Sequence, residues 1–274
     1  MKSLKPRLLT AVIGIPLLLG ILFLSEMWNP LISIVVGIAS AFMVGEYLSA
    51  KGLLKHYLLS IPCMLFSFAS SIIISSEFIF LSLVLFMIIA FSVMIASHKK
   101  ITYIELVYAL LGTLLISFGM SSLSLICTYS VSITFFFVTA FALPWMADAG
   151  GFFVGATLGK HKLCPKISPK KSVEGAIGGI AGAVLLNVLL LFLFKKFIFE
   201  SEPRLSYIGV ALLSIVLSIV SMFGDLAAST VKRNFGIKDF GKLLPGHGGI
   251  MDRFDSALFV LPVLYSSVYI VNMF

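Results

Sequence analysis

Long apolar runs, separated by short polar segments, dominate the pattern of hydrophobic and polar positions along the chain. A transmembrane helix needs roughly 20 mostly apolar residues to cross a hydrocarbon core of about 30 Å. Runs of that length recur and predict about nine spans, so the expected fold class is an all-α, polytopic membrane helical bundle. The predicted spans are 8–25, 28–50, 57–75, 78–96, 103–126, 133–156, 174–198, 205–228 and 254–273.

Lysine and arginine are distributed unevenly among the polar segments. With the N-terminus in the cytoplasm, the segments that follow the second, fourth, sixth and eighth spans also face the cytoplasm. All of the 20 Lys and Arg residues except Lys195, Lys196 and Arg204 then lie on that side. This bias follows the positive-inside rule and predicts a cytoplasmic N-terminus and an external C-terminus.

Composition and charge narrow the class of protein. Hydrophobic residues make up 59% of the 274 positions, charged residues make up 12%, and the mean hydropathy of +1.11 excludes an ordinary soluble domain. The net charge of +8 follows from the predicted topology, so we expect no nucleic-acid partner. The three cysteines have no paired spacing and predict neither a disulfide framework nor a zinc site.

A dense polar segment, Gly224–Ser256, holds four of the five Asp residues of the chain. On a helix, Asp225, Ser229 and Lys232 follow the spacing i, i+4, i+7 and share one stripe, with Arg233 beside it. Carboxylates favour hard cations such as Mg²⁺, and Lys and Arg favour phosphates. The stripe therefore predicts a site for a metal and a polyphosphate, although a solvated cytoplasmic loop is the simpler alternative.

The same segment continues into a glycine-rich turn, Pro245–Gly249, and then into Asp252, Arg253 and Asp255. Glycines let backbone N–H groups approach a ligand because no Cβ stands in the way. The two carboxylates of Asp252 and Asp255 lie at i, i+3 and so share one helix face. Gly224, directly before Asp225, leaves room for another backbone or a ligand.

A second polar feature begins inside the sixth predicted span. Asp148 is followed by Gly150 and Gly151, and Pro144, four residues earlier, can break the helix. The next loop is strongly basic, and Ser172 is the expected N-cap of the following helix. The loop satisfies the positive-inside rule, or it binds anionic groups; its lysines are Lys160, Lys162, Lys166, Lys170 and Lys171.

Two further acids, Glu46 and Glu105, lie inside apolar stretches. An acid in a membrane span is costly and often functional. Each of these lies about a turn and a half from a lysine, Lys51 or Lys100. We interpret both as headgroup-region residues.

From Ser229 to Asp255 the chain reads S-x-V-K-R-x4-K-D-x-G-x2-L-P-x-H-G-G-I-x-D-R-F-D, which resembles the signature of phosphatidate cytidylyltransferases, also called CDP-diacylglycerol synthases. A second block, D-A-G-G-F followed by S-P-K-K-S-V-E-G, is similar to another recurrent block of the same family. Ala149, Gly151 and Ser172 are small departures from that block. The resemblance places scaffold spans in 1–130 and the catalytic spans and loops in 131–274 of a single integral-membrane domain.

The resemblance implies transfer of CMP from CTP to phosphatidic acid, which gives CDP-diacylglycerol and pyrophosphate. The cofactor it implies is Mg²⁺, with a second cation as a further candidate. Asp225 and Asp252 are the expected metal ligands, and Asp148 is a candidate third. His247 is either a general acid or a structural hydrogen-bonding group. The expected phosphate-binding residues are Ser229, Lys232, Arg233, Lys238, Arg253, Lys160, Lys170 and Lys171.

Two alternatives stay open. A related enzyme could use CTP to phosphorylate a lipid alcohol, and a transporter could use a broken sixth span with Asp148 in its pathway. The lack of a soluble extension favours a bacterial plasma membrane, with the active site facing the cytoplasm. Membrane lipids are expected partners, and a homodimer is one candidate assembly.

Overall fold

The computed structural model describes residues 20, 24, 28, 30–97, 100–129, 133–198, 205–243 and 248–273. The first predicted span therefore lies almost wholly outside the described residues. Nine helices and two short strands are found in the described ranges, together with a single 3-10 turn at Leu53–Lys55. In chain order they are α1 Pro30–Ala50, α2 Tyr57–Ile73, α3 Phe78–Ala96, α4 Tyr103–Tyr129, α5 Ile133–Leu158, β1 Lys162–Cys164, β2 Ser168–Ser172, α6 Val173–Phe197, α7 Tyr207–Asn234, α8 Met251–Phe254 and α9 Ala257–Met273.

Six of these helices, α1 and α3 to α7, are long and apolar enough to cross a membrane. The helices α2 and α9 are also apolar but shorter. Helix α3 buries only Phe86 and Ala90, whereas much of α4 is buried, so α3 presents most of its surface to the surroundings. The all-α polytopic membrane fold is confirmed, while the count of nine spans and the orientation stay predictions.

The chain forms two compact units. The first unit consists of Met1–Leu125 with Asn234–Phe254, and the second consists of Ile126–Arg233 with Asp255–Phe274. The polar C-terminal segment is divided between them, since Asp225 and Lys232 belong to the second unit and Asp252 to the first.

Buried hydroxyl groups connect three helices of the first unit. Ser40 on α1 hydrogen-bonds Ser67 on α2. Ser121 on α4 lies 3.2 Å from the Ser70 hydroxyl and 3.3 Å from the Ser71 hydroxyl, both on α2. Such interhelical hydrogen bonds contribute about 0.6–2 kcal/mol each, and they favour one set of contact faces for these helices.

Glycines bring α5 and α6 into close contact in the second unit. A Cβ on Gly179 would lie 2.5 Å from the Ala147 carbonyl oxygen, and one on Gly175 would lie 2.7 Å from the Gly151 carbonyl oxygen. Only glycine allows two backbones to approach so closely. Helix α5 is continuous through Pro144, so the break that this proline could cause does not occur. Proline removes one backbone hydrogen bond, and packing against a neighbouring helix lets the helix continue.

An antiparallel hairpin, β1–β2, fills the predicted basic loop between α5 and α6. It ends at Ser172, whose hydroxyl accepts a hydrogen bond from the Gly175 N–H at 3.1 Å, as the N-cap prediction requires. Glu174 accepts hydrogen bonds from the N–H groups of Lys160, at 3.1 Å, and His161, at 3.2 Å. The carboxylate therefore ties the end of α5 to the start of α6.

Helix α7 extends six residues beyond the end of the eighth predicted span, 205–228. It spans the 28 residues Tyr207–Asn234, or about 42 Å, which exceeds the thickness of an apolar core. The chain leaves the helix at Gly236, whose φ of 65° is a conformation that glycine adopts without strain.

Candidate active site

An open cavity of about 220 Å³ lies in the second unit, beside α5, the β1–β2 hairpin and the start of α6. Gly151 and Gly175 line it at the point where the backbones of α5 and α6 approach each other closely. Met222 of α7 contributes to one wall. The remaining lining divides into apolar residues, Ala147, Phe152, Leu163 and Ala176, and polar residues, Asp148, Ser168, Lys170, Lys171 and Ser172.

The hairpin brings β2 to α7 through an ion pair. Lys171 Nζ lies 2.5 Å from Asp225 Oδ2, and each side chain is about a quarter exposed. Among the described residues, the Lys171 ammonium has no acceptor in hydrogen-bonding geometry, so the contact is electrostatic. Lys171 of the predicted basic loop and Asp225 of the dense polar segment therefore meet next to the cavity.

A second ion pair begins about two helical turns beyond Asp225 on α7. Lys232 Nζ lies 3.3 Å from Asp255 Oδ2, and both residues are 8% exposed. Burial raises the pKa of Asp255 to about 6, the Lys232 ammonium opposes this rise, and the Asp225 carboxylate adds to it. Asp225, Asp255, Lys171 and Lys232 thus form a cluster of two carboxylates and two ammonium groups, here named the charge cluster.

Close packing holds the charge cluster together. A Cβ on Gly224 would lie 3.0 Å from the Ser256 Cα and 3.2 Å from the Asp255 carbonyl oxygen. The space predicted at Gly224 is therefore filled by another backbone, that of the segment before α9. Asp255 Oδ1 also accepts a hydrogen bond from the Ser256 N–H at 2.8 Å, which fixes the carboxylate.

The other predicted residues of the second unit are more accessible. Asp148, Lys160, Lys170 and Arg233 are exposed, and Ser229 is half-buried. Of these, Asp148 and Lys170 line the cavity. Accessible cations beside a cavity are available to an anionic ligand, whereas Lys232 is committed to its buried partner.

In the first unit, Asp252 is 7% exposed and binds the backbone of residues 240, 241 and 249. Its Oδ2 accepts hydrogen bonds from the N–H groups of Phe240 at 2.8 Å, Gly249 at 3.0 Å and Gly241 at 3.4 Å. Gly248 has a φ of 87°, which favours glycine. The Gly249 N–H, which the sequence assigned to a ligand, donates to this carboxylate instead.

Glu46 on α1 binds the backbone directly after Gly249. Its Oε2 accepts a hydrogen bond from the Met251 N–H at 2.8 Å, and its Oε1 accepts one from the Ile250 N–H at 3.1 Å. The sequence interpretation placed Glu46 in the headgroup region and missed this contact. The available signal was an acid within an apolar helix, which is a functional residue by default.

Glu105, in contrast, makes the local contacts that a surface acid makes. It accepts hydrogen bonds from the Thr102 N–H at 2.8 Å and from the Thr102 hydroxyl at 2.9 Å, at the start of its own helix α4. Lys238 and Arg253, also in the first unit, are exposed. His247 lies outside the described residues, so its two predicted roles stay open.

The sequence profile of the cytidylyltransferase family matches residues 5–271. The chain belongs to the cytidylyltransferase family. It is 33% identical to a phosphatidate cytidylyltransferase of Staphylococcus haemolyticus over 275 residues, which cover 95% of this chain and 97% of the relative. It is 32% identical to a phosphatidate cytidylyltransferase of Staphylococcus epidermidis over 268 residues, which cover 95% and 97%. A protein of that name in Bacillus subtilis is 47% identical over 121 residues, 44% of this chain and 42% of the relative.

The resemblance predicted from the motifs is thereby confirmed, and this cytidylyltransferase family member is an enzyme of the nucleotidyltransferase class.

Its residues can be tested for the Mg²⁺ that the family resemblance implies. No three His, Cys, Asp or Glu side chains converge on one point within the described ranges. Mg²⁺ commonly takes one or two carboxylates and completes its shell with water and substrate phosphates. Asp225, about a quarter exposed, and Asp148, exposed in the cavity, fit that limited set.

Proposed function

We propose that this family member transfers CMP from CTP to phosphatidic acid, giving CDP-diacylglycerol and pyrophosphate. The observation that carries the proposal is the Lys171–Asp225 ion pair at the edge of a lysine-lined cavity. Within the second unit, it joins the basic hairpin to the start of the dense polar segment Gly224–Ser256. The relatives that align over nearly the whole chain bear the name of this activity, which supports the same assignment.

The cations of the chain act by neutralising and aligning two anions that repel each other. Lys170 and Lys171 line the cavity, and Lys160 lies at the end of α5. Arg233 extends this set along α7. Lys238, Arg253 and Ser229 are further proposed phosphate contacts, and Lys232 supports the site through Asp255.

The proposed cofactor is Mg²⁺, held by Asp225 and Asp252 with Asp148 as a candidate third ligand. When bound, the ion would supply positive charge to the triphosphate of CTP. Lys171 holds the Asp225 carboxylate in place, and three backbone N–H groups hold that of Asp252. Both carboxylates are thus fixed in orientation before any ligand binds.

The reaction needs little covalent work from the protein. An oxygen of the phosphatidate phosphate attacks the α-phosphorus of CTP, the bond to the β-phosphate breaks, and pyrophosphate leaves. We place this reaction at the cytoplasmic face of a bacterial plasma membrane, because the lipid tails stay in the bilayer while CTP arrives from water. His247 is retained as a candidate proton donor to the leaving group.

The direct test is to incubate the purified protein with phosphatidate, Mg²⁺ and CTP labelled at the α-phosphate. Label should enter the lipid together with release of pyrophosphate. Label entering only from γ-labelled CTP would indicate a lipid-alcohol kinase, and solute flux without nucleotide turnover would indicate a transporter.

The metal ligands are tested with Asp225→Asn and Asp252→Asn at saturating Mg²⁺. Each variant should lose about 100-fold or more in kcat, because the remaining amide is a poor ligand for a hard cation. Glu77→Gln, an exposed acid that precedes α3, should retain the wild-type rate. Near-wild-type rates in both aspartate variants would show that the metal assignment is wrong.

A further inference from the structure

The Glu46 carboxylate holds the backbone of a turn that lies more than 200 residues later in the chain. Each of its two oxygens accepts one N–H, from Ile250 and Met251. A carboxylate that receives two backbone N–H groups forms charge-assisted hydrogen bonds, which are among the stronger ones in proteins. Glu46 therefore attaches this turn to α1 of the first unit.

Glycines give the carboxylate access to the turn. A Cβ on Gly241 or on Gly249 would overlap the Glu46 carboxylate. Both glycines have a second contact, because their N–H groups donate to Asp252. Only a backbone without side chains at these two positions can lie between the two carboxylates.

Glu46 and Asp252 bind consecutive N–H groups of residues 249–251. Glu46 takes the N–H groups of Ile250 and Met251, and Asp252 takes those of Phe240 and Gly249. A displacement of the turn at Ile250 moves the backbone on which Asp252 is carried. The orientation of Asp252 therefore depends on Glu46, although the two side chains belong to different elements.

Aromatic packing forms a second attachment beside the first. Tyr47, the neighbour of Glu46, stacks on Tyr108 of α4 with ring centroids 4.2 Å apart, and the Tyr108 hydroxyl donates to the Tyr47 carbonyl at 2.7 Å. The Phe240 ring lies 6.1 Å from that of Tyr47, and the Phe235 ring lies 5.0 Å from that of Tyr108. This packing holds residues 235–240, so Glu46 has the distinct task of holding 249–251.

We propose that Glu46 is a positioning residue for nucleotidyl transfer: it fixes the Gly249–Met251 turn and, through it, sets the orientation of Asp252 and Arg253. The proposal rests on the proposed function, in which Asp252 is a metal ligand and Arg253 a phosphate contact. Glu46 itself touches no reacting atom. Its effect is transmitted through the turn.

Glu46→Gln is the test variant, and Glu105→Gln is its matched control. The glutamine keeps the size of the side chain but offers one acceptor oxygen, and its NH₂ group faces an N–H donor. Glu105 also lies near the end of a membrane helix, yet the hydrogen bonds that it accepts from described residues come from Thr102 alone. Both changes remove one negative charge, so a general charge effect would appear in both variants.

Two readouts are measured in detergent-solubilised full-length protein. Hydrogen exchange of a peptide that covers 248–254 should rise about tenfold or more in Glu46→Gln, while a peptide from the start of α6 in the second unit stays at the wild-type rate. In CMP transfer, kcat should fall about tenfold with KM for phosphatidate within about twofold, because misalignment affects the transition state more than lipid binding. Glu105→Gln should match the wild type in both readouts.

Three results would overturn the proposal: unchanged exchange at 248–254, raised exchange with unchanged kcat, or exchange raised equally in the α6 peptide. If Glu46→Gln does not accumulate, Glu46→Asp keeps the charge, shortens the reach by one methylene and is judged by the same outcomes. The exchange readout needs no turnover. Absence of CMP transfer in the wild type would therefore count against the proposed function, while exchange still shows whether Glu46 holds the turn.

Discussion

The Lys171–Asp225 ion pair lies where both side chains are largely shielded from water, which affects its contribution to stability. An exposed ion pair stabilises a protein by about 0–1 kcal/mol, because solvent screens the charges and ordering two long side chains costs entropy. Here each side chain is only about a quarter exposed, and the backbones of β2 and α7 already fix both groups. Solvent therefore screens the two charges less, and ordering the two side chains costs less entropy. We expect the coupling between Lys171 and Asp225 to lie in the upper part of that range.

This expectation can be tested with a double-mutant cycle of Lys171→Gln and Asp225→Asn. The two changes should couple by about 1 kcal/mol in the free energy of unfolding, measured by denaturant titration in detergent. The control cycle pairs Asp225→Asn with Lys170→Gln, since Lys170 is exposed and forms no ion pair within the described part of the chain. Additive changes in the Lys171 cycle would contradict the coupling.

The Asp255 carboxyl makes stability depend on pH in a defined window. Burial raises its pKa from 3.8 to about 6, so between about pH 4 and pH 6 the folded state holds a proton that the unfolded state has released. Because the folded state binds more protons there, the contribution of Asp255 to the free energy of unfolding falls as the pH rises through this window.

The resulting prediction concerns the melting temperature of the wild type minus that of Asp255→Asn. This difference should fall by a few degrees between about pH 4 and pH 6 and stay level above pH 7, because Asn does not titrate. Thermal unfolding in detergent, followed by tryptophan fluorescence, measures it. A difference that rises with pH would mean that the Lys232 ammonium, not burial, dominates the environment of Asp255.

Residue-level roles could be predicted from sequence only where the partner is local. The Ser172 N-cap was predicted because its acceptor and donor are three residues apart and such caps have a known pattern. The contact of Glu46 was missed because its partners lie 204 and 205 residues away, a distance that no spacing rule covers. Glu46 and Glu105 look alike in sequence, and only their three-dimensional partners separate them.

At the level of elements, the contact of α5 with α6 depends on a line of glycines. Gly179 and Gly175 each face a carbonyl oxygen of α5 at a distance that leaves no space for a methyl group. Gly182, one turn further along α6, has no neighbour closer than 3.6 Å, and that neighbour is the flexible end of Met146.

These positions give a matched pair of substitutions on one helix face. Gly179→Ala should lower the free energy of unfolding by about 1–3 kcal/mol, because the methyl group must separate the two backbones. Gly182→Ala should be neutral or stabilising by about 0.4–1 kcal/mol, because alanine restricts the unfolded chain and fits the space. Denaturant unfolding in detergent distinguishes the two. Equal losses at both sites would show that the glycines act through flexibility and not through close approach.

Helix bounds were predictable because the membrane sets a length and excludes polar residues. The fourth predicted span, 78–96, coincides with α3, and the sixth, 133–156, ends two residues before α5 does. The β1–β2 hairpin was missed, because S-P-K-K-S lacks the alternating apolar pattern of a strand and contains a proline. The two strands pair between the ends of α5 and α6, which Glu174 connects.

At the level of the whole molecule, the signature motif Ser229–Asp255 is divided between the two compact units. The chain passes from the second unit to the first near Asn234 and returns at Asp255. The motif from Ser229 to Asp255 is continuous in sequence although its residues pack in two units. Hydrophobic periodicity along the chain cannot detect this division. Within each unit, carboxylates are fixed by partners of that same unit, Lys171 for Asp225 and backbone N–H groups for Asp252.

The predicted orientation of the chain can be tested with Cys164, which ends β1 in the basic hairpin. In a Cys63→Ser, Cys127→Ser background, Cys164 should react with a membrane-impermeant maleimide in inside-out vesicles and not in intact cells, because the positive-inside rule places the hairpin in the cytoplasm. Ser206→Cys, exposed just before α7, should show the opposite pattern once Cys164 is replaced by serine. Labelling of Cys164 from outside would reverse the topology and would remove the hairpin lysines from the compartment that holds CTP.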